Sequence, residues 1–428
     1  MARLAIIGTG YVGLTTGACF AHLGHEVVCA DLEAEKVARL SVGDVPIFED
    51  RLEFLVREGI DEGRLQFVVG ASKAVVDCEV AFLCVPTPQN DDGTVDLSYI
   101  EAASVEIAPL LPSGSIVVNK STVPVGSTRV VERVLGRSDV TVVSNPEFLR
   151  EGSAVQDFLH PDRIVIGCED QSAATKVLSL YLGVEAPTVV TDPASAETIK
   201  YAANAFLATK LSFVNAIAAV CEGVGADVTD VILGLGYDTR IGSEFLKPGP
   251  GWGGSCFPKD TRALVRIAEQ GGYDFRFLDG VIAVNEEQFS RIADKVRDAV
   301  GGDLTGRTVG VWGLTFKAGT DDLRESPALS VIQRLTSAGA SVRAYDPTVN
   351  VVGDLPSGHD TVDLAETALS ACDGADALVV LTEWDEFRWQ DPAEVAALMT
   401  SLTVVDARNL LDRARWERHG FTHRGVGH

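Results

Sequence analysis

The sequence predicts an α/β protein with two Rossmann-like doubly wound domains joined by a long central helix. Three observations predict it: a glycine-patterned strand–turn–helix at the N-terminus, an unbroken helical pattern after Asp192, and a second strand–glycine turn–helix–strand series after residue 300. The boundaries that follow are 1–192 for a dinucleotide-binding domain, 193–300 for a central helical domain, and 301–428 for a second Rossmann-like domain.

The opening "RLAIIGTGYVG" reads as a strand, a tight turn and a helix start. Gly8, Gly10 and Gly13 have the GxGxxG spacing: the first permits the turn, the second admits a pyrophosphate close to the backbone, and the third lets helix and strand pack closely. The helical stretch runs to Leu23, Gly24 ends it, and "EVVCAD" forms a second strand ending in Asp31, 23 residues after Gly8. A carboxylate there accepts hydrogen bonds from a ribose diol and repels a 2′-phosphate, so NAD is expected over NADP. Strand-like runs follow at 66–70, 80–88, 115–123 and 141–149, each ending in polar or proline-rich residues. In a parallel sheet the carboxyl ends of strands carry function, and Thr87, Thr122 and Glu147 stand at such ends. Taken singly, each is as well explained as an ordinary turn residue.

From 191 to 225 the pattern is helical. Asp192 suits the cap, Pro193 the first position, and Gly223 and Gly225 the end. Apolar Ile199, Ala203, Phe206, Leu207, Val214, Ile217 and Val220 recur at helical spacing, as a spine and a dimer interface require. Lys200 and Asn204 are four apart and share a face; alone, they read as a solvated pair. After residue 300, "GRTVGVWGLTFKAGTDDLRESPALSVIQRLTSAGASVRAYDP" repeats the outline of residues 3–31 without the GxGxxG, with Gly313, Gly339 and Asp346 at corresponding points. Strands at 376–384 and 402–412 continue it, and its loops carry Lys317, Arg324 and Arg408, cations suited to an anion.

Composition bounds the function. The 428 residues carry a formal charge of −25, which leaves no basic stripe for nucleic acid. No run of 18 apolar residues predicts a membrane span, and the N-terminal apolar run stops at a glycine turn, as a first strand does and a signal peptide does not. A cytoplasmic protein is expected. The 8 cysteines have no CxxC and no histidine pattern, so free thiols are expected, mostly as core residues, with neither disulfide nor metal site.

One cysteine stands apart. In "GWGGSCFPKD", Cys256 follows a glycine-rich loop and precedes a helical pattern, with Gly254 or Ser255 as the expected cap and Cys256 in the first turn. A helix N-terminus stabilises a thiolate. Asp260, four residues on, shares its face, although a helix capped by Asp260 itself fits the same residues. A thiolate beside a nicotinamide can capture an aldehyde formed by a first hydride transfer. The adduct then loses a second hydride and becomes a thioester, which water releases as an acid. That route needs a thiol, a cation or amide at the developing oxyanion, and a carboxylate for water and protons; Cys256, Lys200 with Asn204, and Glu147 or Asp260 supply them.

Over nearly its whole length the chain resembles the UDP-glucose/GDP-mannose dehydrogenase family. The residues that carry the resemblance are, in order, "GTGYVG", "VPTP", "KSTVPVG", "NPEFLREGSA", "KYAANAF", "GGSCFPKD" and "GLTFKAGTDDLRES". The resemblance implies an NAD-binding domain, a dimerising central helix and a C-terminal nucleotide-sugar domain. The implied reaction oxidises a sugar C6 alcohol to a carboxylate with two NAD, serving polysaccharide precursor synthesis. It implies Cys256 as nucleophile, Lys200 and Asn204 as holders of oxyanions and an ordered water, and Glu147, Thr122 and Asp260 in water activation and proton transfer. Besides the glycines and Asp31, the cofactor residues it implies are Tyr11, Val12, Lys36, Pro86, Thr87, Thr122, Glu151, Lys259 and Arg324. The implied substrate residues are Glu147, Phe148, Leu149, Arg150, Glu151, Lys200 and Asn204, then Phe245, Leu246, Lys247, Gly249 and Gly253, with Lys317 and Arg408. Arg240, in "TRIG", is implied to serve a neighbouring subunit's substrate in a homodimer or higher homo-oligomer. UDP-glucose is the expected substrate, chosen on "RIGSEFL"; GDP-mannose, a UDP-N-acetylhexosamine and a dTDP-sugar are alternatives within the class. A non-catalytic NAD-binding redox sensor and a two-electron hydroxyacid dehydrogenase are alternatives outside it; the first leaves Lys200, Asn204, Glu147 and Asp260 idle, and the second leaves Cys256 unexplained.

Overall fold

In a computed structural model of the chain, which describes all residues except 91, 352 and 354, two compact units are distinct: Met1–Ala203 with Arg262–Gly271, and Asn204–Thr261 with Gly272–His428.

The first unit holds an eight-stranded sheet. Its strands are β1 (Arg3–Ile7), β2 (Glu26–Asp31), β3 (Leu65–Val69), β4 (Val80–Leu83), β5 (Ile116–Asn119), β6 (Thr141–Ser144), β7 (Ile164–Gly167) and β8 (Thr188–Thr191), in the order β3-β2-β1-β4-β5-β6-β7-β8. Every pairing is parallel except β6–β7, which meets antiparallel at Ser144 and Gly167. Apart from the largely exposed β8, the strands are short, mainly apolar runs between two cores; one face packs around Phe20, Phe82 and Phe158 and the other around Leu83, Ile100 and Val117. The first six strands have the order of a dinucleotide-binding fold, whose ligand crevice opens at the carboxyl ends of the strands beside β1 and β4. The strands expected from the sequence are all present; β7 and β8 were not expected.

The second unit carries a six-stranded, wholly parallel sheet of β9 (Thr308–Trp312), β10 (Ser341–Tyr345), β11 (Asp363–Leu364), β12 (Ala377–Val380), β13 (Thr403–Asp406) and β14 (Thr422–Gly425). Its order, β11-β10-β9-β12-β13-β14, repeats that of the first six strands of the other sheet. Trp312, Phe387 and Trp416 stack into the core on one face, and Val309, Val311 and Leu335 into the core on the other.

Between the sheets in the chain runs the 32-residue helix Pro193–Val224. Asp192 caps it as expected, accepting the Ser195 N–H at 2.9 Å, and Gly225 ends it at φ +74°. By length and composition the helix is apolar enough to cross a bilayer, with mean hydropathy 1.4 over its best window. Its buried polar groups nevertheless bond to protein: Glu197 accepts the N–H groups of Gly126 and Thr128, and Ser212 donates to the Val281 carbonyl. The helix after Cys256 spans Phe257–Gln270, and the Asp260 N–H donates to the Cys256 carbonyl at 2.8 Å. Cys256 is therefore the capping residue, not a first-turn residue as expected, and neither Ser255 nor Asp260 caps the helix. Pro258 accounts for this: it has no N–H and sits in the first turn, where none is needed.

Candidate active site

In the first unit the glycine turn is built as its spacing predicts. Gly8 takes φ +97°, and a Cβ there would lie 2.6 Å from the Cys84 carbonyl oxygen. A Cβ on Gly13 would collide with the Gly8 carbonyl, whereas one on Gly10 would meet nothing within 4 Å. The backbone is thus closed where helix meets strand and open where a pyrophosphate would lie, at the N-terminus of helix Tyr11–His22, which no side chain caps. Asp31 closes the other end of the crevice. Its carboxylate accepts the Thr9 N–H (3.1 Å), the Thr9 hydroxyl (2.5 Å), the Glu33 N–H (3.2 Å) and the Lys36 ammonium (3.0 Å). Burial raises its pKa, but these donors outweigh burial and hold it at about 2. The residues fit a dinucleotide with a free ribose diol. Val12, Pro86 and Thr87 border the same strand ends, at the start of the first helix and just past β4.

Glu147 lies just beyond β6 with its side chain 5% exposed. It accepts the Lys200 ammonium at 2.8 Å and the Leu149 N–H at 2.6 Å. Burial, the largest single influence, pushes its pKa up, but Lys200, the Leu149 N–H and Lys120 together outweigh it, so the net shift is downward and the carboxylate is ionised at neutral pH. The adjacent Phe148 ring stacks against the Arg163 guanidinium at 3.7 Å, and Arg150 forms a fork with Asp157. Thr122 is half-buried after β5.

Sequence reasoning missed two supports of this cluster. Lys120, buried beside Thr122, donates to Asn145 (3.1 Å) and Tyr181 (3.2 Å), and Asn145 ties the turn after β6 to the Val165 carbonyl. Glu49, also buried, accepts the N–H groups of Gly152 (2.7 Å) and Ala154 (2.8 Å), fixing the segment that carries Arg150 and Glu151. The Tyr11 hydroxyl faces Glu49; burial first, then the Glu49, Glu151 and Glu147 carboxylates, drive its pKa far above the ordinary value. Lys120 lies inside "KSTVPVG", a usable signal. Glu49 had none, being 103 residues from Gly152.

In the second unit Asn204 donates to Asp260 at 2.6 Å, and Lys259 binds the other carboxylate oxygen at 2.8 Å. Asp260 is wholly buried. Cys256 is half-buried, whereas the other seven cysteines are buried, and none of the eight forms a disulfide. Its sulfur lies 3.5 Å from the Ser255 hydroxyl oxygen. The preceding loop runs against the C-terminal sheet. A Cβ on Gly249 would lie 3.4 Å from the Arg408 guanidinium, one on Gly254 would lie 2.8 Å from the Phe316 ring beside Lys317, and one on Gly253 would collide with the Glu325 carbonyl. Arg408 is held by the carbonyls of Leu381 (2.7 Å) and Phe316 (3.1 Å). The structure thus gathers Gly249, Gly253, Lys317 and Arg408 in one region; of the loop residues before them, Leu246 is buried, Phe245 takes φ +60° and Lys247 is exposed. Arg324 and Arg240 are instead exposed and forked onto Asp322 and Asp238, two residues before each.

Three family descriptions match in sequence. The NAD-binding domain of the UDP-glucose/GDP-mannose dehydrogenase family matches residues 2–185, its central domain 194–287, and its UDP-binding domain 310–413. The chain is 46% identical to the UDP-glucose 6-dehydrogenase of Rhizobium meliloti (strain 1021), over 99% of each chain. Among solved structures, it superposes on a UDP-glucose dehydrogenase from Pyrobaculum islandicum with a TM-score of 0.90 and 38% identity, covering 100% of this chain and 98% of that one. A UDP-D-ManNAc dehydrogenase from Pyrococcus horikoshii gives 0.89 at 28% identity, covering 99% of both.

Proposed function

The chain belongs to the UDP-glucose/GDP-mannose dehydrogenase family, with NAD as its cofactor, and on that premise we propose that it oxidises the C6 alcohol of UDP-glucose to the carboxylate of UDP-glucuronate. Higher identity to UDP-glucose enzymes than to the UDP-D-ManNAc enzyme favours glucose among the sugars. The observation that carries the chemistry is Cys256: of eight thiols it alone is not buried, and it caps a helix behind a glycine loop.

NAD, when bound, accepts one hydride in each of two oxidations. In the proposed route the first oxidation yields a C6 aldehyde. The Cys256 thiolate adds to its carbonyl carbon, and the resulting alkoxide takes a proton to give a thiohemiacetal. Loss of the C6 hydride and the hydroxyl proton leaves a thioester on Cys256. Water attacks the thioester carbonyl and the thiolate leaves, so the balance is one alcohol, one water and two NAD to one carboxylate, two NADH and three protons. The Lys200 ammonium and Asn204 amide stabilise the oxyanions. Ionised Glu147, with Thr122 and Asp260, accepts the proton of the attacking water. Tyr11, Val12, Pro86, Thr87, Glu151, Lys259 and Arg324 complete the cofactor site, and residues 148–151 and 245–253 with Lys317 and Arg408 the sugar-nucleotide site.

The exposed apolar residues Phe206, Phe213 and Val220 recur every seven positions on the long helix, which supports a homodimer across that face with Arg240 reaching the neighbour's substrate. The segments 1–192, 193–300 and 301–428 then serve cofactor, dimer and sugar nucleotide, in a cytoplasmic enzyme supplying polysaccharide synthesis.

The test is stoichiometry on a panel of UDP-glucose, GDP-mannose, a UDP-N-acetylhexosamine and a dTDP-sugar. UDP-glucose is expected to give two NADH per sugar and no free aldehyde. Cys256→Ala should stop after the first oxidation, and Glu147→Gln should accumulate added mass on the Cys256 peptide. Normal uronic acid production by Cys256→Ala would refute the mechanism. Mixing Cys256→Ala with Arg240→Ala should restore activity through hybrid dimers; a fully active monomer rules out the shared arginine.

A further inference from the structure

The second unit contains a cleft of about 490 Å³, within the range of small-molecule sites. Its walls are the helix Pro193–Val224, the helix Arg276–Ala299 and strand β14. None of the residues assigned above to NAD or to the sugar nucleotide lines it.

Four cations, Arg291, Lys295, Arg413 and Arg424, line the cleft against three side-chain carboxylates, Glu222, Asp294 and Asp298, in a chain of net charge −25. Glu222 neutralises two of them, at 3.5 Å from Arg291 and 2.8 Å from Lys295, and Glu417 holds Arg413 at 2.7 Å. The remaining carboxylates of the lining, Asp294 and Asp298, pair with Arg297. Arg424 has no ion-pair or side-chain hydrogen-bond partner among the described residues. Beside it His423 is buried, with neither ring nitrogen bonded and the nearest carboxylate, that of Asp406, 3.7 Å away. A buried imidazole with both nitrogens unmet is costly unless a ligand or ordered water completes it. Ala219, Ile292 and Val426 give the cleft an apolar wall.

We infer that this cleft binds a small phosphorylated anion, with Arg424 as its principal anchor, and that the bound anion acts on the sugar-nucleotide loop. A guanidinium without a carboxylate, with the Glu417-paired Arg413 lining the same cleft, matches the paired oxygens of a phosphate. The link to the loop is direct. Asn215 and Gln288 both line the cleft, and both hold Gly249: Asn215 accepts its N–H at 2.8 Å, and Gln288 donates to its carbonyl at 2.7 Å.

Pyrophosphate is the probe, titrated calorimetrically into the full-length protein already saturated with NADH and UDP so that those sites are filled. The expected result is one pyrophosphate per chain, with affinity reduced about 10-fold or more by Arg424→Ala, less by Arg413→Ala, and partly restored by Arg424→Lys. Arg424→Ala should leave the melting temperature and the turnover without pyrophosphate unchanged. In initial-rate measurements pyrophosphate should shift the KM for the sugar nucleotide in the unmodified protein and not in Arg424→Ala. Absence of binding, or equal affinity in Arg424→Ala, overturns the site; binding without any KM shift overturns its action on the loop.

Discussion

Gly8 and Gly313 occupy the same place in their respective sheets. Each follows the first strand of a 3-2-1-4-5-6 order, takes a positive φ (+97° and +95°), and donates its N–H at 2.8 Å to a carbonyl of the second strand, Ala30 in one case and Tyr345 in the other. Each second strand leads to an aspartate that accepts the N–H of the residue after the glycine, Thr9 for Asp31 and Leu314 for Asp346. Beyond that point the two halves differ. After Gly8 a helix begins at Tyr11; after Gly313 the next helix begins only at Pro327. A Cβ would collide at both turn glycines, with the Cys84 carbonyl at Gly8 and with Thr382 at Gly313, but two residues on the halves part: Gly10 has open space beside it, whereas its counterpart Thr315 is wholly buried. Asp346 is wholly buried, its carboxylate taken up by Leu314, Thr315, Thr348 and the Trp384 indole. The same turn and the same aspartate thus make a ligand crevice in one sheet and a sealed strut in the other. What separates them is how soon a helix N-terminus follows and whether the carboxylate keeps exchangeable partners.

The sharpest way to break this comparison is to substitute the glycines. Gly10→Val adds a side chain where the protein has room, so the melting temperature should hold while NAD affinity falls about 100-fold, or ~2.7 kcal/mol. Gly313→Ala should do the reverse, lowering stability by about 3 kcal/mol through overpacking and an unfavourable φ while the folded fraction keeps its NAD affinity. If both variants lose NAD binding and stability alike, the two turns are not functionally different. The aspartates come next. Asp31→Asn should weaken NAD binding and narrow its advantage over NADP, whereas Asp346→Asn should cost about 2 kcal/mol of stability and leave the cofactor ratio alone; KM values for both cofactors beside urea melts distinguish them.

Acid gives a smaller effect of fixed sign. Asp31 has a folded pKa of about 2 against 3.8 for an unperturbed aspartate, so its stabilising contribution is fully present above about pH 4 and is lost as pH falls through about 2. That contribution is at most about 2 kcal/mol, and Asp31→Asn should flatten that part of the pH–stability curve. Glu147, also depressed, adds to the same acid limb. The smallest effect belongs to Lys36→Ala, which removes one donor to Asp31 and should weaken NAD binding by a few-fold at low salt, less at high salt.

The first crevice was legible because its logic is local: three glycines, a strand on each side and an aspartate 23 residues on all fall within one βαβ unit. The closing of the second was not, because it depends on Thr382 and Trp384, far along the chain from Gly313. Distance in sequence also hid Glu49 and the pairing of Asn204 with Asp260, 56 residues apart. The helix after Cys256 was misplaced by one residue because Gly254, Ser255 and Cys256 are all acceptable caps, and only the Asp260 N–H bond to the Cys256 carbonyl decides among them. Strand β8 is four residues long and largely exposed, with no apolar run on a buried face to declare it; β7, "IVIG", is as short and as buried as β4 and β5, so its signal was present in the sequence.

The burial of seven thiols sets how the protein meets electrophiles. Cys78, Cys84 and Cys372 have pKa values pushed up to about 12 by burial, and Cys19 and Cys29 lie higher still. At neutral pH such groups are thiolate about one part in 10⁵, and no reagent reaches them without the core opening. Toward an alkylating agent or a peroxide the folded chain therefore behaves as a protein with one cysteine. A reagent with no selectivity of its own becomes a titrant for Cys256, and the oxidative lifetime of the whole molecule reduces to that of a single sulfur atom.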